Sequence, residues 1–363
     1  MKKLIKLMKT PGLFFRDYFD KKYPVIRNEI QCPVYEEKVL IKHDMLLENK
    51  LPTDFPIDIV YTWVDNHDEK WQEKFNDFNK NNFVQLGKYA TDKARFDNHN
   101  EIFYSVKSVI INMPWVRNIF IVTDNQIPDV LFLSNKIKII DHKDIIDREF
   151  LPTFNSHVIE AHIHKITGLS EYFIYFNDDV FVARPLKPSH FFKGNGIASL
   201  FLSAKDLNEL KQRGIDTPTL SASITSRDLL NIDYNISIGG PLIHTYIPLR
   251  KSIFYMAWER YRENIMAFLD NRFRTNYDLN LSTYLVPWLA YLEGQAVPVR
   301  DICYYFNIRS NSAIDNYREL KNSLINEVQP HSFCANDFNS EKEAVRNYKE
   351  LLITALENYF KEN

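Results

Sequence analysis

The chain has 363 residues, 45% hydrophobic and 25% charged, ordinary for a soluble globular protein with room for one large domain or two modest ones. A formal net charge of −2 gives no global basic field, which argues against nucleic acid as a partner. No run approaches the ~20 apolar residues of a membrane span. Cys32, Cys303 and Cys334 are too scattered for a disulfide framework or a zinc knuckle, so reduced thiols in the cytoplasm are expected.

Residues 1–23 begin like a secretory signal, but lysines interrupt the apolar residues and no continuous apolar region forms. Leu4, Ile5, Leu7, Met8, Leu13, Phe14 and Phe15 alternate with Lys2, Lys3, Lys6, Lys9 and Arg16. Such a basic amphipathic segment either packs on the domain or a partner, or lies on an anionic membrane surface. Residues 24–54, polar and carrying Pro24, Pro33 and Pro52, read as a linker.

The ordered core is expected from Phe55. Ile57 to Val64 reads as a strand that ends in Asp65-Asn66-His67-Asp68. From Glu101 to Asn112, apolar residues at 102, 103, 106, 109 and 110 form a helical stripe. Asn118 to Thr123 and Lys136 to Ile140 are further strands, and Ser156 to Ile166 a helix with Ser156 as its cap. Tyr172 to Phe176 is the next strand. Residues 203–235 are polar and poorly periodic, part of an insertion over about 203–262; 251–270 and 279–293 read as helical, and Ile302 to Ile308 as a strand. Ser340-Glu341-Lys342-Glu343 is a capping box for a C-terminal helix within 336–363. Strands alternating with helices predict an α/β fold with a Rossmann-like, mostly parallel sheet over residues 55–335.

On that sheet, Asp65, Asp124 and Asn177 all fall at strand carboxyl ends, so distant parts of the sequence would build one pocket. Asn177-Asp178-Asp179 follows the aromatic run Tyr172-Phe173-Ile174-Tyr175-Phe176. Two carboxylates at the end of a buried strand cost desolvation energy unless a cation or donors compensate. A divalent ion such as Mg²⁺ or Mn²⁺ on a diphosphate meets that need, whereas the plain alternative is an Asn/Asp turn.

These motifs resemble the Stealth family of sugar-1-phosphate transferases, which includes bacterial capsule polymerases. The resemblance runs through Ile57-Asp58-Ile59-Val60-Tyr61-Thr62-Trp63-Val64-Asp65, then Arg95, Glu101 and Pro114-Trp115-Val116-Arg117-Asn118. It continues through Gln126-Ile127-Pro128, Leu151 to Glu160, Gly168-Leu169-Ser170 and Phe176-Asn177-Asp178-Asp179. Shorter matches lie at Ile243-His244-Thr245, Phe273-Arg274 with Asp278, and His331 to Asp337. Three positions depart from the family pattern: Asp124-Asn125 replaces Asn-Gly, Ile247 stands in place of a second histidine, and Thr225 or Ser226 in place of an Asn.

The resemblance implies a GT-A-like fold and a transferase of the bacterial cytoplasm, peripheral on the inner membrane if residues 1–23 anchor it. The reaction implied moves a hexose-1-phosphate, an N-acetylhexosamine-1-phosphate being the favoured case, from a UDP-sugar to a hydroxyl of a growing capsule oligosaccharide and releases UMP. Asp178 and Asp179, with Asp337 as partner, are expected to hold Mg²⁺ or Mn²⁺; His244 is the family's catalytic histidine and Arg274 a fork for phosphate oxygens. Arg272 could take the work of Arg274. Asp65, Arg95, Glu101, Gln126, Asn155, Ser156, His157, Glu160, Asn177 and Asp278 are expected to contact substrate, with Asp65 a helix cap as its alternative. His157, Glu160 and His164 look like a metal triad, but seven helical residues span about 10 Å, too far for both histidines to share an ion. Two other readings remain open: a GT-A glycosyltransferase releasing UDP, and a non-catalytic capsule-assembly scaffold.

Overall fold

The computed structural model describes residues 7–9, 11–22, 32–48, 53–80, 90–340 and 344–361. Much of the basic start and the capping-box residues Glu341 to Glu343 lie outside them. Ten strands follow in order: β1 (Ile57–Thr62), β2 (Ile119–Thr123), β3 (Ile137–Asp141), β4 (Tyr172–Asn177), β5 (Val180–Val182), β6 (Ala198–Phe201), β7 (Ile247–Arg250), β8 (Ala296–Val299), β9 (Cys303–Asn307) and β10 (Ser332–Asn336).

The main sheet has the order β3-β2-β1-β4-β7, parallel except for β7, which runs antiparallel to β4. β1 and β2 are buried almost throughout, as expected of near-continuous apolar strands covered on both faces. The chain builds β1, β2 and β3 outward in one direction, then returns to place β4 on the other side of β1. A crevice forms outside the carboxyl ends of the strands at such a reversal.

The one charged residue of β1, Asp58, is fully buried at the opposite edge. It accepts from Arg117 Nε and Nη2 (2.8 and 2.5 Å), from the Asn118 backbone N–H (3.1 Å) and from the Ser170 backbone N–H (2.7 Å). One carboxylate thus ties the starts of β1, β2 and β4 together, with its desolvation offset by charge-assisted donors.

β4 leads directly, through Asp178-Asp179, into a second sheet of order β5-β10-β9. This sheet has its own core, in which Phe181, Phe306 and Phe333 pack on Leu352 and Leu356 of the C-terminal helix Tyr348–Tyr359. Residues 24–54 are more than a linker. Val34–Glu48 is a helix; its Ile41 is fully buried in that second core, and Tyr304 Oη donates to Glu37 Oε1. Its apolar residues, such as Val39-Leu40-Ile41 and Met45-Leu46-Leu47, run consecutively and show no helical period, so only contact with the second sheet reveals it. The 203–235 stretch likewise holds two helices, Leu207–Gln212 and Pro218–Tyr234. Thr217 caps the second by accepting from Leu220 N–H, and Pro218 occupies its first turn.

Candidate active site

A cleft of about 550 Å³ opens at the carboxyl edge of the main sheet, where β1, β4 and the second sheet meet. One wall is acidic. β4 delivers Asn177, Asp178 and Asp179 to it, and β10 approaches from the far side, with Ala335 N–H donating to the Asp179 carbonyl at 3.1 Å. Asp179 Oδ2 accepts from Asn336 Nδ2 at 2.9 Å and from Cys334 Sγ at 3.3 Å, whereas Asp179 Oδ1 is buried and has no partner. His244 Nε2 lies 4.0 Å from Asp179 Oδ2, too far for a hydrogen bond, and also lacks a partner. Burial, and then the charge of Asp179, push the Asp178 carboxyl up to about 7. Burial and both aspartates push Glu101 well above the carboxylate range. Packing two carboxylates and a glutamate into one partly dry wall leaves it short of positive charge.

His244 is fixed from beneath. Its ring meets Tyr305 edge-on at 5.4 Å, and Tyr305 Oη donates to Asn336 Oδ1 at 3.2 Å. The following residues enter a fully buried network: Thr245 Oγ1 bonds Ser332 Oγ (2.7 Å), Ser332 Oγ donates to Asp301 Oδ2 (3.0 Å), and Tyr246 Oη donates to Asp301 Oδ1 (2.7 Å). His190 Nε2 completes it at 2.8 Å from Asp301 Oδ1.

The opposite wall is basic. Arg274 donates to Thr219 Oγ1 at 3.0 Å and to Ser156 Oγ, and Ser156 Oγ donates onward to Glu160 Oε1 at 2.9 Å. Among the described residues no carboxylate pairs with Arg274, and no side-chain hydrogen bond or ion pair engages Arg95, whose pKa burial lowers to about 10. Two arginines that make no direct ion pair in one cleft, Arg95 with Asp92 and Glu160 only at electrostatic range, form a site for an anion. Trp63, Trp71, Phe96 and Phe154 give the same cleft an aromatic face.

The structure therefore brings Arg95, Glu101, Ser156, Asn177, Asp178, Asp179, His244, Arg274 and Asp337 into one cleft. Asp337 has other partners: Arg309 Nε and Nη2 hold it at 2.5 and 2.8 Å, and His99 Nε2 at 2.9 Å. In this structure it serves as the counter-ion of Arg309, with both of its oxygens engaged by Arg309 and His99. Asp65 and Gln126 lie beside the cleft. Gln126 clasps the Asp65 backbone, accepting from its N–H at 2.9 Å and donating to its carbonyl at 2.8 Å, while the Asp65 carboxylate accepts from His67. The helix Glu69–Lys80 is capped by Asp68, which accepts from Trp71 N–H at 2.7 Å.

Asn155, His157 and Asp278 sit behind the basic wall. Asn155, rather than Ser156, caps the helix Ser156–His162, accepting from His157 N–H at 3.0 Å. Its amide donates to Asp278 Oδ2 at 2.8 Å, and His157 Nδ1 lies 3.0 Å from the same oxygen. Burial alone would raise the Asp278 pKa, but hydrogen bonds from His157, Thr275 and Asn155 hold it below the ordinary range. This buried knot anchors the 271–278 loop that presents Arg274. Glu160 is buried behind Ser156, and Arg272 turns away to the Glu149 carbonyl at 2.6 Å.

Sequence reasoning overlooked Cys334, Asn336, Tyr305 and Thr219. Thr217-Pro218, a cap followed by a proline in the first turn, was the local signal for the helix that carries Thr219. Asn125 adopts φ 56°, a left-handed conformation that Asn tolerates best after Gly, so the missing glycine there costs little.

The parallel sheet with a two-walled cleft at its carboxyl edge is that of an α/β transferase. The chain matches the models for Stealth protein CR1, conserved region 1, over residues 55–82, and Stealth protein CR2, conserved region 2, over residues 95–200. It is 53% identical to the capsular polysaccharide phosphotransferase LcbA of Aeromonas hydrophila, over 100% of both chains. To the protein of the same name from Neisseria meningitidis it is 52% identical, over 99% of this chain and 100% of that one. The chain belongs to the Stealth family of phosphotransferases. Among solved structures, the galactosyltransferase LgtC overlaps 83% of this chain and 95% of its own at 12% identity and a TM-score of 0.40, too loose an overlap to carry an argument.

Proposed function

We propose that the protein transfers a hexose-1-phosphate, favouring an N-acetylhexosamine-1-phosphate, from a UDP-sugar to a hydroxyl of a capsular glycan and releases UMP. The observation that carries this reading is the pairing of walls: Arg95 and Arg274, in no direct ion pair among the described residues, share a cleft with Asp178, Asp179 and His244. Such a site neutralises and aligns a diphosphate, which is most of what phosphoryl transfer requires.

In this reading His244 Nε2, which has no protein partner, takes the proton of the acceptor hydroxyl. The acceptor oxygen bonds to the phosphorus that carries the sugar, and the bond from that phosphorus to the bridging oxygen breaks. UMP leaves with the bridging oxygen, and the sugar's anomeric bond is untouched. Arg274, oriented by Thr219 and Ser156, and Arg95 hold the phosphate oxygens. Asp179, whose Oδ1 is buried without a partner, and Asp178 fit a divalent cation. Mg²⁺ or Mn²⁺ bound there would supply positive charge against the diphosphate. Trp71, Phe96 and Phe154 offer apolar contact to a base or sugar ring. The enzyme would work in the cytoplasm, with residues 1–23 on the inner membrane; no helix among the described residues is long and apolar enough to cross it.

The test is to incubate the protein with UDP-sugars, Mg²⁺ and a capsule oligosaccharide and identify the nucleotide released. UMP supports the proposal. UDP would assign an ordinary glycosyl transfer instead, and binding without turnover a scaffold.

A further inference from the structure

Behind the hard, oxygen-rich face of Asp178 and Asp179, the acidic wall also presents a soft donor. Asp179, His244 and Cys334 each offer one ligand atom, all within 4.8 Å of one another. Cys334 Sγ is 3.3 Å from Asp179 Oδ2, and His244 Nε2 is 4.0 Å from the same oxygen. A tetrahedral Zn²⁺, with bonds of about 2.3 Å to sulfur and 2.0–2.1 Å to nitrogen or oxygen, sets its ligand atoms about 3.3–3.5 Å apart. The observed spacings need only rotamer-scale adjustment to reach that. His244 Nε2 is a buried atom with no hydrogen bond to surrender, and so is Asp179 Oδ1, while Asp179 Oδ2, the oxygen at these spacings, accepts from Asn336 Nδ2 and Cys334 Sγ. Cys334 is fully buried and forms the floor of the site, while Asp179 and His244 line the cleft and leave a fourth position open towards it.

We propose that Asp179, His244 and Cys334 form a Zn²⁺ site that inhibits the enzyme. A thiol, an imidazole and a carboxylate together suit Zn²⁺ or Co²⁺ far better than Mg²⁺, which takes oxygen ligands in an octahedron. Binding deprotonates the Cys334 thiol and forms a metal–sulfur bond, with the proton passing to solvent. The ion withdraws His244 from proton transfer and Asp179 from the activating cation in a single event. The inhibitory consequence rests on the roles proposed above for those two residues; the zinc site itself does not.

The site is read without turnover. Co²⁺ added to the full-length protein should produce a near-ultraviolet thiolate-to-metal charge-transfer band, and Zn²⁺ should abolish it by displacement. Cys334→Ser should remove the band and weaken Zn²⁺ binding by at least about tenfold, and His244→Ala should weaken binding similarly. Cys32→Ser and Cys303→Ser should leave the band in place. X-ray absorption of the wild-type protein with one equivalent of Zn²⁺ needs no variant and should show one sulfur at about 2.3 Å. A shell of nitrogen and oxygen alone, a band that survives Cys334→Ser, or one lost with Cys303→Ser would overturn the proposal.

Discussion

The two edges of the main sheet carry aspartates in opposite states. At the amino edge Asp58 is fully buried, and the Arg117 guanidinium and two backbone N–H groups occupy both of its oxygens. At the carboxyl edge Asp179 keeps one buried oxygen without a partner, Asp178 is pushed up to about 7, and the arginines across the cleft pair with no carboxylate among the described residues. A buried charge whose donors are all internal holds strands together; one left short of them holds a ligand. The sheet thus keeps its stabilising and its chemical carboxylates at opposite ends of the same strands.

If that division is right, substitutions at the two edges should change different quantities. Arg274→Ala should lower kcat by about 10³-fold or more, the loss expected on removing a phosphate-clamping arginine, with little change in thermal midpoint. A steady-state assay with a UDP-sugar measures the first and calorimetry the second. His244→Ala should lower kcat by about 10²–10⁴-fold, again with the fold intact; full turnover by this variant would break the comparison at its catalytic end. Asp58→Ala should do the reverse, costing about 3–4 kcal/mol in denaturant unfolding as two backbone N–H groups and Arg117 lose their acceptor, while kcat per folded molecule stays unchanged.

A fourth test sharpens what being fully packed means. Burial lowers the pKa of His162 to about 4 and of His164 to about 3, and the His164 ring stacks on Phe254 at 5.2 Å. Their folded-state values lie below the ordinary 6.5, so the unfolded chain binds more protons as the pH falls through that range. The stability they support is complete above about 6.5 and is lost as the pH drops towards 3–4, by roughly 3 kcal/mol for His162 alone. His162→Phe should flatten that part of the stability–pH curve, measured by denaturant unfolding from pH 7 to 4.

Much of the main sheet was legible because its strands are apolar on both faces and end in polar triplets, so that β1, β2, β3 and β4 begin and end within two residues of expectation. The helix Val34–Glu48 and the helix Pro218–Tyr234 were not legible. Neither shows a clear helical period of apolar residues, and each is defined by what it lies against: Ile41 in the second core, Ser223 and Ser226 on Asn280. The same divide separates the site residues. Asn177, Asp178 and Asp179 announce themselves by type and position at the end of β4, whereas His244 and Arg274 were singled out only by the family resemblance. Asn155, His157 and Asp278 have the same polar chemistry, and nothing in their spacing tells whether they point into the cleft or bond to one another behind it.

The amino-acid sequence by itself determined the alternation of strands and helices, the edge of the sheet where chemistry would collect, and the carboxylates that collect there. Those properties follow from hydrophobic period and from the cost of burying charge, which are local. Only the tertiary structure decided that Asp337 belongs to Arg309, that Asp278 anchors a loop, and that Cys334 lies under Asp179. Each of those depends on which donor arrives within about 3 Å of which oxygen, and that is set by packing between segments as many as 155 residues apart.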